Sequence, residues 1–358
     1  MKLWITILLL YQFTTFSQDA DRLSFDFFDP NIKLYVIGES HFEDDDDLQI
    51  ALLNYVTSNT KVDAFVFELS SEVGLIFNDY VTHGNRKSDV DTICSLLHKK
   101  VAKKVKMTLE FLKSYNLKND NKIKVVGIDH FHFHKLERQM RGLNTIFPEA
   151  KNIDLPVVQK YVVQQEVKDK NRKKSALVVR EMINEVEQNW LSYQQQMGER
   201  VDTYVSYIKN LEFLYLNSFW YKKCDSIRES NLSTNLVNTL DSTNVCFMIC
   251  GSNHALMKMN DDWPNDYPFS PMTAVANQKY PNQVFSIIMQ HHDKKIKRYT
   301  RYYNLLDKPI SDYVEDNSVK YVVIDQRETP KHEYAKERAS MIIIQNKFFK
   351  YKKRKTAS

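Results

Sequence analysis

Leu34-Tyr35-Val36-Ile37-Gly38-Glu39-Ser40-His41 is the stretch that decides the fold, because an apolar run of strand length ends there in a glycine, a carboxylate and a histidine. A similar pattern follows late in the chain, where the apolar run 245–250 leads into Gly251-Ser252-Asn253-His254. Ligands bind outside the carboxyl ends of the strands in an open α/β sheet, so two distant histidines can converge on one crevice. The two motifs therefore predict a functional site, and we expect it to be catalytic.

Strands and helices alternate through the first third of the chain. Helical spacing over Leu48–Val56 follows the first strand, and further apolar runs occupy 64–67 and 124–128. Strand, helix, strand, helix, strand implies right-handed crossovers and a parallel sheet. Ser70 or Ser71 is predicted to cap the helix that follows the second strand. Further predicted elements are a basic helix over 89–115 and strands over 245–250, 284–289, 321–324 and 341–344.

The middle of the chain is predicted to be helical throughout. From Val157 to about Asp241 there is no proline and a single glycine, Gly198, while apolar residues recur at helical spacing. We interpret this part as a helical insertion, or cap. Its aromatic residues are interpreted as core between helices, with a substrate-lining role as the alternative. These residues are Phe213, Tyr215, Phe219, Trp220 and Tyr221.

Length and composition set the domain organisation. A chain of 358 residues that is 43% hydrophobic can bury one large core and carry an inserted subdomain. The predicted fold class is α/β, with a central, mostly parallel sheet flanked by helices and a large helical insertion. The predicted parts are a signal peptide (1–18), the first half of the α/β domain (19–156), the helical insertion (157–241), the second half of the α/β domain (242–346) and a basic tail (347–358).

The first residues are typical of a signal for export. Lys2 precedes the apolar stretch Leu3–Leu10, and Thr15-Phe16-Ser17 places small residues at the two positions that a signal peptidase inspects. We expect cleavage near Ser17 or Gln18 and a soluble mature protein that is periplasmic or secreted. The apolar stretch is shorter than the ~20 residues needed to cross a bilayer, so no integral membrane span is expected.

The chain has four cysteines: Cys94, Cys224, Cys246 and Cys250. Export permits disulfides, but a domain of this size does not need them. On one strand, Cys246 and Cys250 would lie about 13 Å apart at ~3.3 Å per residue, which is too far to bridge. We interpret the cysteines as buried apolar residues, and a bridge between Cys94 and Cys224 stays open as an alternative.

Charge and missing motifs narrow the function classes. The formal charge of +5 is small for 358 residues, and much of the excess lies in Lys347–Lys355. We interpret this segment as a solvated tail, with attachment to an anionic surface as the alternative. The sequence contains no glycine-rich phosphate loop, no Cys-x-x-Cys and no Gly-x-Ser-x-Gly, which disfavours nucleotide binding and serine hydrolase chemistry. No nucleic-acid partner is expected, and no partner protein is identified.

Five side chains fall at or just past the carboxyl end of a predicted strand: Glu39, His41, Glu68, Asp129 and His254. Catalytic groups in α/β folds come from such ends, although His41 alone is also compatible with a surface or capping role. Glu68 directly follows four apolar strand residues, so its partly buried carboxylate needs a partner. A histidine, a cation or an arginine would serve.

Arg228 offers such a cation. It opens the stretch Arg228–Leu236, which is predicted as a helix start, and its guanidinium could reach the sheet and hold a carboxylate or a developing oxyanion. The alternative is an exposed salt bridge at the end of a helix, and composition alone favours that alternative.

The order and rough spacing of several sequence blocks resemble those of the erythromycin esterase family over residues 33–257. The blocks are Gly38–His41, Phe67–Ser71 with Tyr80–Gly84 behind it, Tyr115-Asn116 leading to Val126–Asp129, Arg228-Glu229 with Asn235-Leu236, and Gly251–Ala255. Both histidine motifs are one residue shorter than in those esterases, and their Gly-x-x-His form is similar to the Tiki proteases and the haem-uptake proteins of the same superfamily. The resemblance implies active-site positions at Glu39, His41, Glu68, Arg228 and His254, with Asp129 as a weaker candidate.

The resemblance and the residue types imply hydrolysis of a small-molecule ester or lactone, or of an amide, with no required cofactor. His41, oriented by Glu39 or Glu68, would take a proton from water as the water attacks the carbonyl, since a neutral imidazole suits a general base. Arg228 would stabilise the oxyanion, and His254 would orient the substrate or protonate the leaving group.

Two alternatives use the same residues as ligands. His41, Glu68 and His254 could bind a divalent metal, and the similarity to the Tiki proteases implies a metal-dependent peptidase. In a non-enzymatic uptake protein, His41 or a neighbouring tyrosine could ligate haem. The run His130–His134 is a separate candidate for metal binding, because its alternation would put three histidines on one face of an extended segment.

Overall fold

The computed structural model describes residues 27–41, 43, 46–129, 135–166, 172–217, 222–258, 270–292, 320–326 and 338–346. The predicted signal peptide, the basic tail and the histidine run 130–134 lie outside these residues, as do Phe219, Trp220 and Tyr221.

Seven strands in the described part of the chain form one mostly parallel sheet, which confirms the predicted α/β fold. The strands are β1 (Leu34–Glu39), β2 (Ala64–Ser70), β3 (Lys124–Asp129), β4 (Cys246–Gly251), β5 (Val284–His292), β6 (Tyr321–Asp325) and β7 (Met341–Asn346). Their order in the sheet is β3-β2-β4-β1-β5-β7-β6. Every strand that the apolar runs predict is present, and the observed strands begin within one residue of the predicted ones.

Ten α-helices accompany these strands within the described residues. They are α1 (Asp46–Asn59), α2 (Ser71–His83), α3 (Lys87–Leu96), α4 (Lys99–Lys118), α5 (Leu136–Ile146), α6 (Arg172–Gln188), α7 (Trp190–Met197), α8 (Arg200–Asn217), α9 (Lys222–Asp241) and α10 (Met272–Lys279). A 3₁₀ turn over Pro148–Asn152 and a π-helical segment over Val158–Val163 lie between α5 and α6. Helices α6 to α9 form the helical insertion between β3 and β4. None of the described helices has the length and apolar character to cross a membrane.

The single basic helix predicted over 89–115 is wrong, because the structure has two helices there, α3 and α4. The chain turns at Leu97, whose backbone N–H bonds to the carbonyl oxygen of Cys94 at 3.2 Å. His98 then caps α4, since its ring Nδ1 accepts the backbone N–H of Lys100 at 3.4 Å. Helical spacing continues across this break, so spacing alone does not reveal it.

The cap of α2 is confirmed at Ser70, whose hydroxyl accepts the backbone N–H of Val73 at 3.4 Å. The helix start predicted at Arg228 is wrong, because α9 begins at Lys222 and places Arg228 in its interior. Serine and asparagine after Arg228 are typical of helix starts, but in α9 the hydroxyl of Ser233 instead bonds to the backbone carbonyl one turn earlier.

The chain divides into two compact units, and the boundary falls inside β2. The first unit comprises Met1–Phe65, Val237–Asn260 and Ser270–Ser358, and the second comprises Val66–Leu236 and Asp261–Phe269. The first unit therefore contains β1, β4, β5, β6 and β7, and the second contains β3, most of β2 and the helices α2 to α8.

In the first unit, β1 is a central strand that pairs in parallel with β4 on one side and with β5 on the other. Strand β5 pairs in parallel with β7, and β6 runs antiparallel to β7. All six residues of β1 are buried, as expected for a central parallel strand that reads as a continuous apolar run. The register sets Glu39 beside Gly251, so the two glycine-histidine motifs leave neighbouring strands at the same end.

In the second unit, α2 packs closely on β3 because two glycines face each other. A Cβ placed on Gly74 would overlap the backbone nitrogen of Gly127, and a Cβ on Gly127 would overlap the carbonyl oxygen of Ser70. The helix and the strand therefore meet backbone to backbone at this point.

Aromatic rings fill the space between the insertion helices and the 3₁₀ turn. The ring of Tyr204 meets Phe147 edge-on with centroids 5.4 Å apart, and it lies 5.9 Å from the ring of Tyr193. Of the residues interpreted as core, Tyr215 is buried and Phe213 is half-buried. These two described members of the aromatic run therefore agree with the core interpretation.

Cys94, Cys246 and Cys250 are buried free thiols, as the interpretation of the cysteines as apolar residues requires. Burial raises the pKa of Cys94 to about 11 and that of Cys246 to about 11. The alternative bridge from Cys94 is not formed, because the sulfur of Cys94 is free.

Candidate functional site

The carboxyl end of β1 holds a hydrogen-bonded pair of side chains. Glu39, the last residue of β1, is 5% exposed, and its Oε1 lies 3.1 Å from Nδ1 of His41. Its other oxygen, Oε2, accepts from the side-chain amide Nε2 of Gln49 on α1. A carboxylate can only accept hydrogen bonds, so the neutral imidazole carries its proton on Nδ1 and its lone pair on Nε2. The pair thus presents a basic nitrogen on the far side of the ring.

The second glycine-histidine motif is tied to the first through the backbone of Glu39. The backbone N–H of Ser252 donates to the carbonyl oxygen of Glu39 at 3.0 Å, and the Ser252 hydroxyl donates to the same oxygen at 2.9 Å. These two hydrogen bonds to one carbonyl oxygen extend the pairing of β1 and β4 past the last strand residues. It fixes the path of the chain that leads to His254.

Gly251 lies between the rings of the two histidines. A Cβ placed there would lie 3.1 Å from Nε2 of His41 and 3.4 Å from Cδ2 of His254. The side chain of His41 is 40% exposed, whereas His254 is 7% exposed. The ring of His41 is therefore accessible to solvent and to a ligand, whereas the ring of His254 is buried beside Gly251.

The backbone holds His254 in place from two directions. Its N–H donates to the carbonyl oxygen of Gly251 at 2.9 Å, and its carbonyl oxygen accepts the N–H of Thr273 in the first turn of α10 at 3.2 Å. The motif residues 251–254 thus form a tight turn that α10 supports. The contact with α10 joins residues that are 19 positions apart and is formed only in the fold.

A second cluster lies in the second unit, where Arg228 holds two carboxylates. Its Nε donates to Oδ1 of Asp129 at 2.9 Å, and its Nη2 donates to Oδ2 of Asp129 at 2.6 Å and to Oε1 of Glu68 at 2.5 Å. The side chains are 23% exposed for Arg228, 11% for Glu68 and 0% for Asp129. The forked guanidinium matches the carboxylate geometry of Asp129, which a lysine would not do.

The charges of this second cluster support one another. Burial by itself lowers the pKa of the Arg228 guanidinium, but the negative charges and hydrogen bonds of Asp129 and Glu68 outweigh it and leave the pKa well above its usual value. Arg228 therefore stays protonated, and a buried charge of this kind is tolerated because it is paired and hydrogen-bonded. The amide Nδ2 of Asn235 also donates to the carbonyl oxygen of Ile128 at 2.9 Å, which anchors α9 to β3.

The structure thus brings the predicted residues together in two groups. Glu39, His41 and His254 meet around Gly251 in the first unit, and Glu68, Asp129 and Arg228 form the triad of the second unit. The sequence offers Glu39 or Glu68 as the carboxylate that orients His41. In the structure, the carboxylate hydrogen-bonded to His41 is that of Glu39. Glu68 lies inside β2, two residues before its end, and not beyond the strand.

Gln49 and Ser252 are site residues that sequence reasoning does not identify. Gln49 is a polar residue at a buried position of α1, next to Leu48 and one turn before Leu52 and Leu53. A polar side chain within an apolar helix face is the one signal that the sequence offers for it. Ser252 gives no separate signal, because its bond depends on the pairing of β1 with β4.

The described residues contain no group of three or more histidine, cysteine, aspartate or glutamate side chains placed to hold a metal ion. In the first unit, the carboxylate beside the two histidines is Glu39, and its oxygens face Nδ1 of His41 and the amide of Gln49. The run His130–His134 lies outside the described residues.

Comparison with known proteins shows the fold. No family model and no curated protein matches the chain. Among solved structures, a protein from Bacillus cereus is 12% identical over 88% of both chains with a TM-score of 0.52. A succinoglycan biosynthesis protein is 12% identical over 88% of both chains with a TM-score of 0.50. A mutant of the erythromycin esterase EreC in its open conformation is 12% identical over 88% of this chain and 90% of its own, with a TM-score of 0.53. The chain therefore has an erythromycin esterase-like fold.

Proposed function

We propose that this chain is an exported hydrolase that cleaves a small-molecule ester or lactone, or an amide, with water activated by His41. The observation that carries the proposal is the pair at the end of β1, in which a buried carboxylate holds Nδ1 of a partly exposed imidazole. The fold supports the same class, since one similar structure is an erythromycin esterase and ligands of open α/β sheets bind beyond the strand ends.

Glu39 sets the chemistry of His41. It keeps the proton of the neutral ring on Nδ1, so Nε2 is the atom that takes a proton from the attacking water. As the imidazolium forms, the negative charge of Glu39 stabilises it without itself taking the proton, as in other carboxylate–histidine pairs. A positioned general base of this kind contributes about 10²–10⁴-fold to the rate. No cofactor is required for these steps.

His254 and Arg228 keep the roles that their residue types favour. His254 lies across Gly251 from His41, from where it would orient the substrate or return a proton to the leaving group. Arg228 would stabilise an oxyanion. Its bonds to Glu68 and Asp129 come from Nε and Nη2. Glu68 and Asp129 would then orient the guanidinium.

The test follows hydrolysis of a panel of esters, lactones and peptides by the chain from Gln18 onward. His41→Ala is expected to lower kcat/KM by about 10²–10⁴-fold. The matched control is His83→Ala, which removes an exposed imidazole at the end of α2 and is expected to leave kcat/KM unchanged. Arg228→Lys keeps the positive charge but loses the forked donors, so we expect a lower kcat. Circular dichroism shows whether each variant is folded.

A chelator separates the proposal from its alternatives. Turnover that disappears in His41→Ala and survives the chelator supports the metal-free hydrolase. Turnover that the chelator abolishes would assign a metal-dependent enzyme, and the absence of turnover together with iron bound to the purified protein would assign a haem-uptake role. Equal turnover by the wild type and a folded His41→Ala variant would contradict His41 as the base.

A further inference from the structure

Gln49 is a polar side chain in an apolar place. It is 1% exposed on α1, and its amide Nε2 donates to Oε2 of Glu39, the last residue of β1. The other oxygen of the same carboxylate, Oε1, faces Nδ1 of His41 at 3.1 Å. Glutamine, carboxylate and imidazole thus form one line of side chains within the first unit. Burying an amide costs free energy unless it is hydrogen-bonded, and here the bond ends on the carboxylate that orients His41.

We propose that Gln49 is a positioning residue, which fixes the carboxylate plane of Glu39 and through it the tautomer and orientation of His41. The inference rests on the proposed function for its kinetic consequence, and on the geometry alone for its structural consequence. A carboxylate bonded through both oxygens to different partners cannot rotate freely, so Oε1 stays directed at Nδ1. Nε2 of His41 is then kept as the basic nitrogen.

The chemistry of an amide suits this position. A lysine or arginine at 49 would also donate to Glu39, but its charge would neutralise the carboxylate and weaken the support that the carboxylate gives to the imidazolium. Glutamine supplies a donor without a charge. The negative charge of Glu39 therefore stays available to the imidazolium of His41.

The first measurement is the tautomer of His41 by NMR of the full chain labelled with ¹⁵N-histidine. The chain has 10 histidines, and the signals of His41 are identified by their loss in His41→Ala. The wild type is expected to show a single neutral form with the proton on Nδ1. In Gln49→Met, which keeps the side-chain length and removes the donor, we expect both tautomers to be populated.

The second measurement is kinetic, on whichever substrate of the panel is turned over. Gln49→Met is expected to lower kcat on the order of tenfold with KM unchanged, as for other outer residues that orient a histidine. Gln49→Leu is a second variant without a donor, and it guards against a failure of the first variant to fold. A leucine side chain cannot bond to Glu39, so the same losses are expected. Gln195→Met changes an exposed glutamine on α7 and serves as the control.

The outcomes distinguish this inference from the proposed function. If the folded Gln49 variants keep the single Nδ1 tautomer and the wild-type kcat, Gln49 is only a packing residue and the inference is overturned. If these variants melt at a lower temperature with kcat and the tautomer unchanged, the role is likewise structural and the inference fails. If the wild type hydrolyses nothing, the proposed function fails, while the change of tautomer in the variants still decides the role of Gln49.

Discussion

Gly251 matters at the residue scale because it has no side chain. The two histidine rings occupy the space around its Cα, and a Cβ there would lie 3.1 Å from Nε2 of His41. This distance is tighter than ordinary van der Waals contact, so a methyl group would displace the ring. Nε2 is the atom that we assign as the base, and small misplacements of reacting groups cost rate steeply. The glycine of the motif is therefore a steric requirement of the histidines.

Gly251→Ala is accordingly expected to lower kcat by about tenfold, because the ring of His41 must shift by a few tenths of an ångström and a misplaced base loses rate. Its melting temperature should stay close to that of the wild type, since the displaced groups are at the end of a side chain. Gly198→Ala is the contrasting control: φ is +58° there and no atom lies within 4 Å of a Cβ. That variant is expected to lose about 1–3 kcal/mol of stability with unchanged kcat. Unchanged kinetics in Gly251→Ala would remove the steric argument.

The site residues that sequence analysis predicts are those whose position follows from a strand end. Glu39 and Asp129 are the last residues of β1 and β3, and His41 lies two residues past the end of β1. The partners of these residues are harder to predict from the sequence, because a pair such as Arg228 and Glu68 joins residues 160 positions apart. The amide of Gln49 is not a reactive group, so a search for reactive side chains does not find this residue. Residue types indicate the chemistry, and the fold selects which groups are paired.

At the scale of elements, the contact between α2 and β3 depends on two glycines. A methyl group on Gly74 would overlap the backbone nitrogen of Gly127, which has no rotamer by which to move away. Strand β3 ends in Asp129, a carboxylate that Arg228 holds, so the distance between helix and strand also affects the triad of the second unit. The glycine in the middle of α2 is therefore there for packing, despite its poor helix propensity.

Gly74→Ala is expected to destabilise the protein by about 1–3 kcal/mol, because overpacking a tight contact costs that much. Helix propensity alone predicts the opposite sign, a gain of about 1 kcal/mol for alanine over glycine. Leu75→Ala, one residue further on and 69% exposed, is the control and should change the free energy of unfolding by less than about 0.5 kcal/mol. Urea unfolding of the three proteins provides the comparison. A stabilised Gly74→Ala variant would contradict the prediction, because it would show that α2 can shift away from β3 at little cost.

Strands are predicted better than helices in this chain, for a physical reason. Buried parallel strands are uninterrupted apolar runs, and each run marks one element. Helix breaks depend instead on local hydrogen bonds, such as the cap that His98 gives to α4, and these leave the apolar spacing nearly unchanged. Helix α5 is likewise not predicted, and the helical prediction from Val157 onward does not distinguish the π-helical form of Val158–Val163 from an α-helix. Sequence therefore predicts the sheet closely and the helices only coarsely.

At the scale of the whole molecule, the strand order carries information that local patterns lack. The alternation of strands and helices predicts a parallel sheet, and β1, β4, β5 and β7 are parallel as expected. The antiparallel edge strand β6 is not predicted, because its apolar run looks like the others. Strand β4 is the neighbour of β1 in the sheet, although the long helical insertion separates the two strands in the chain. Local sequence patterns do not predict this pairing. This pairing is what brings the second glycine-histidine motif beside the first.

Export is the remaining property of the whole chain, and we predict it from Lys2 and the apolar stretch that follows. Expressed from Met1 in a Gram-negative host, the protein should be recovered from the periplasm with a mass that lacks the first 17 or 18 residues. Leu8→Arg places a charge in the apolar stretch, which a membrane-inserting segment disfavours by about 2.5–3.5 kcal/mol, and should leave the full-length mass in the cytosol. Lys352→Ala, far from the leader, should be processed like the wild type. A full-length cytosolic product from the unmodified chain would contradict export. The tests of His41 and Gln49 would be unaffected, since they use the protein from Gln18 onward or depend on the first unit alone.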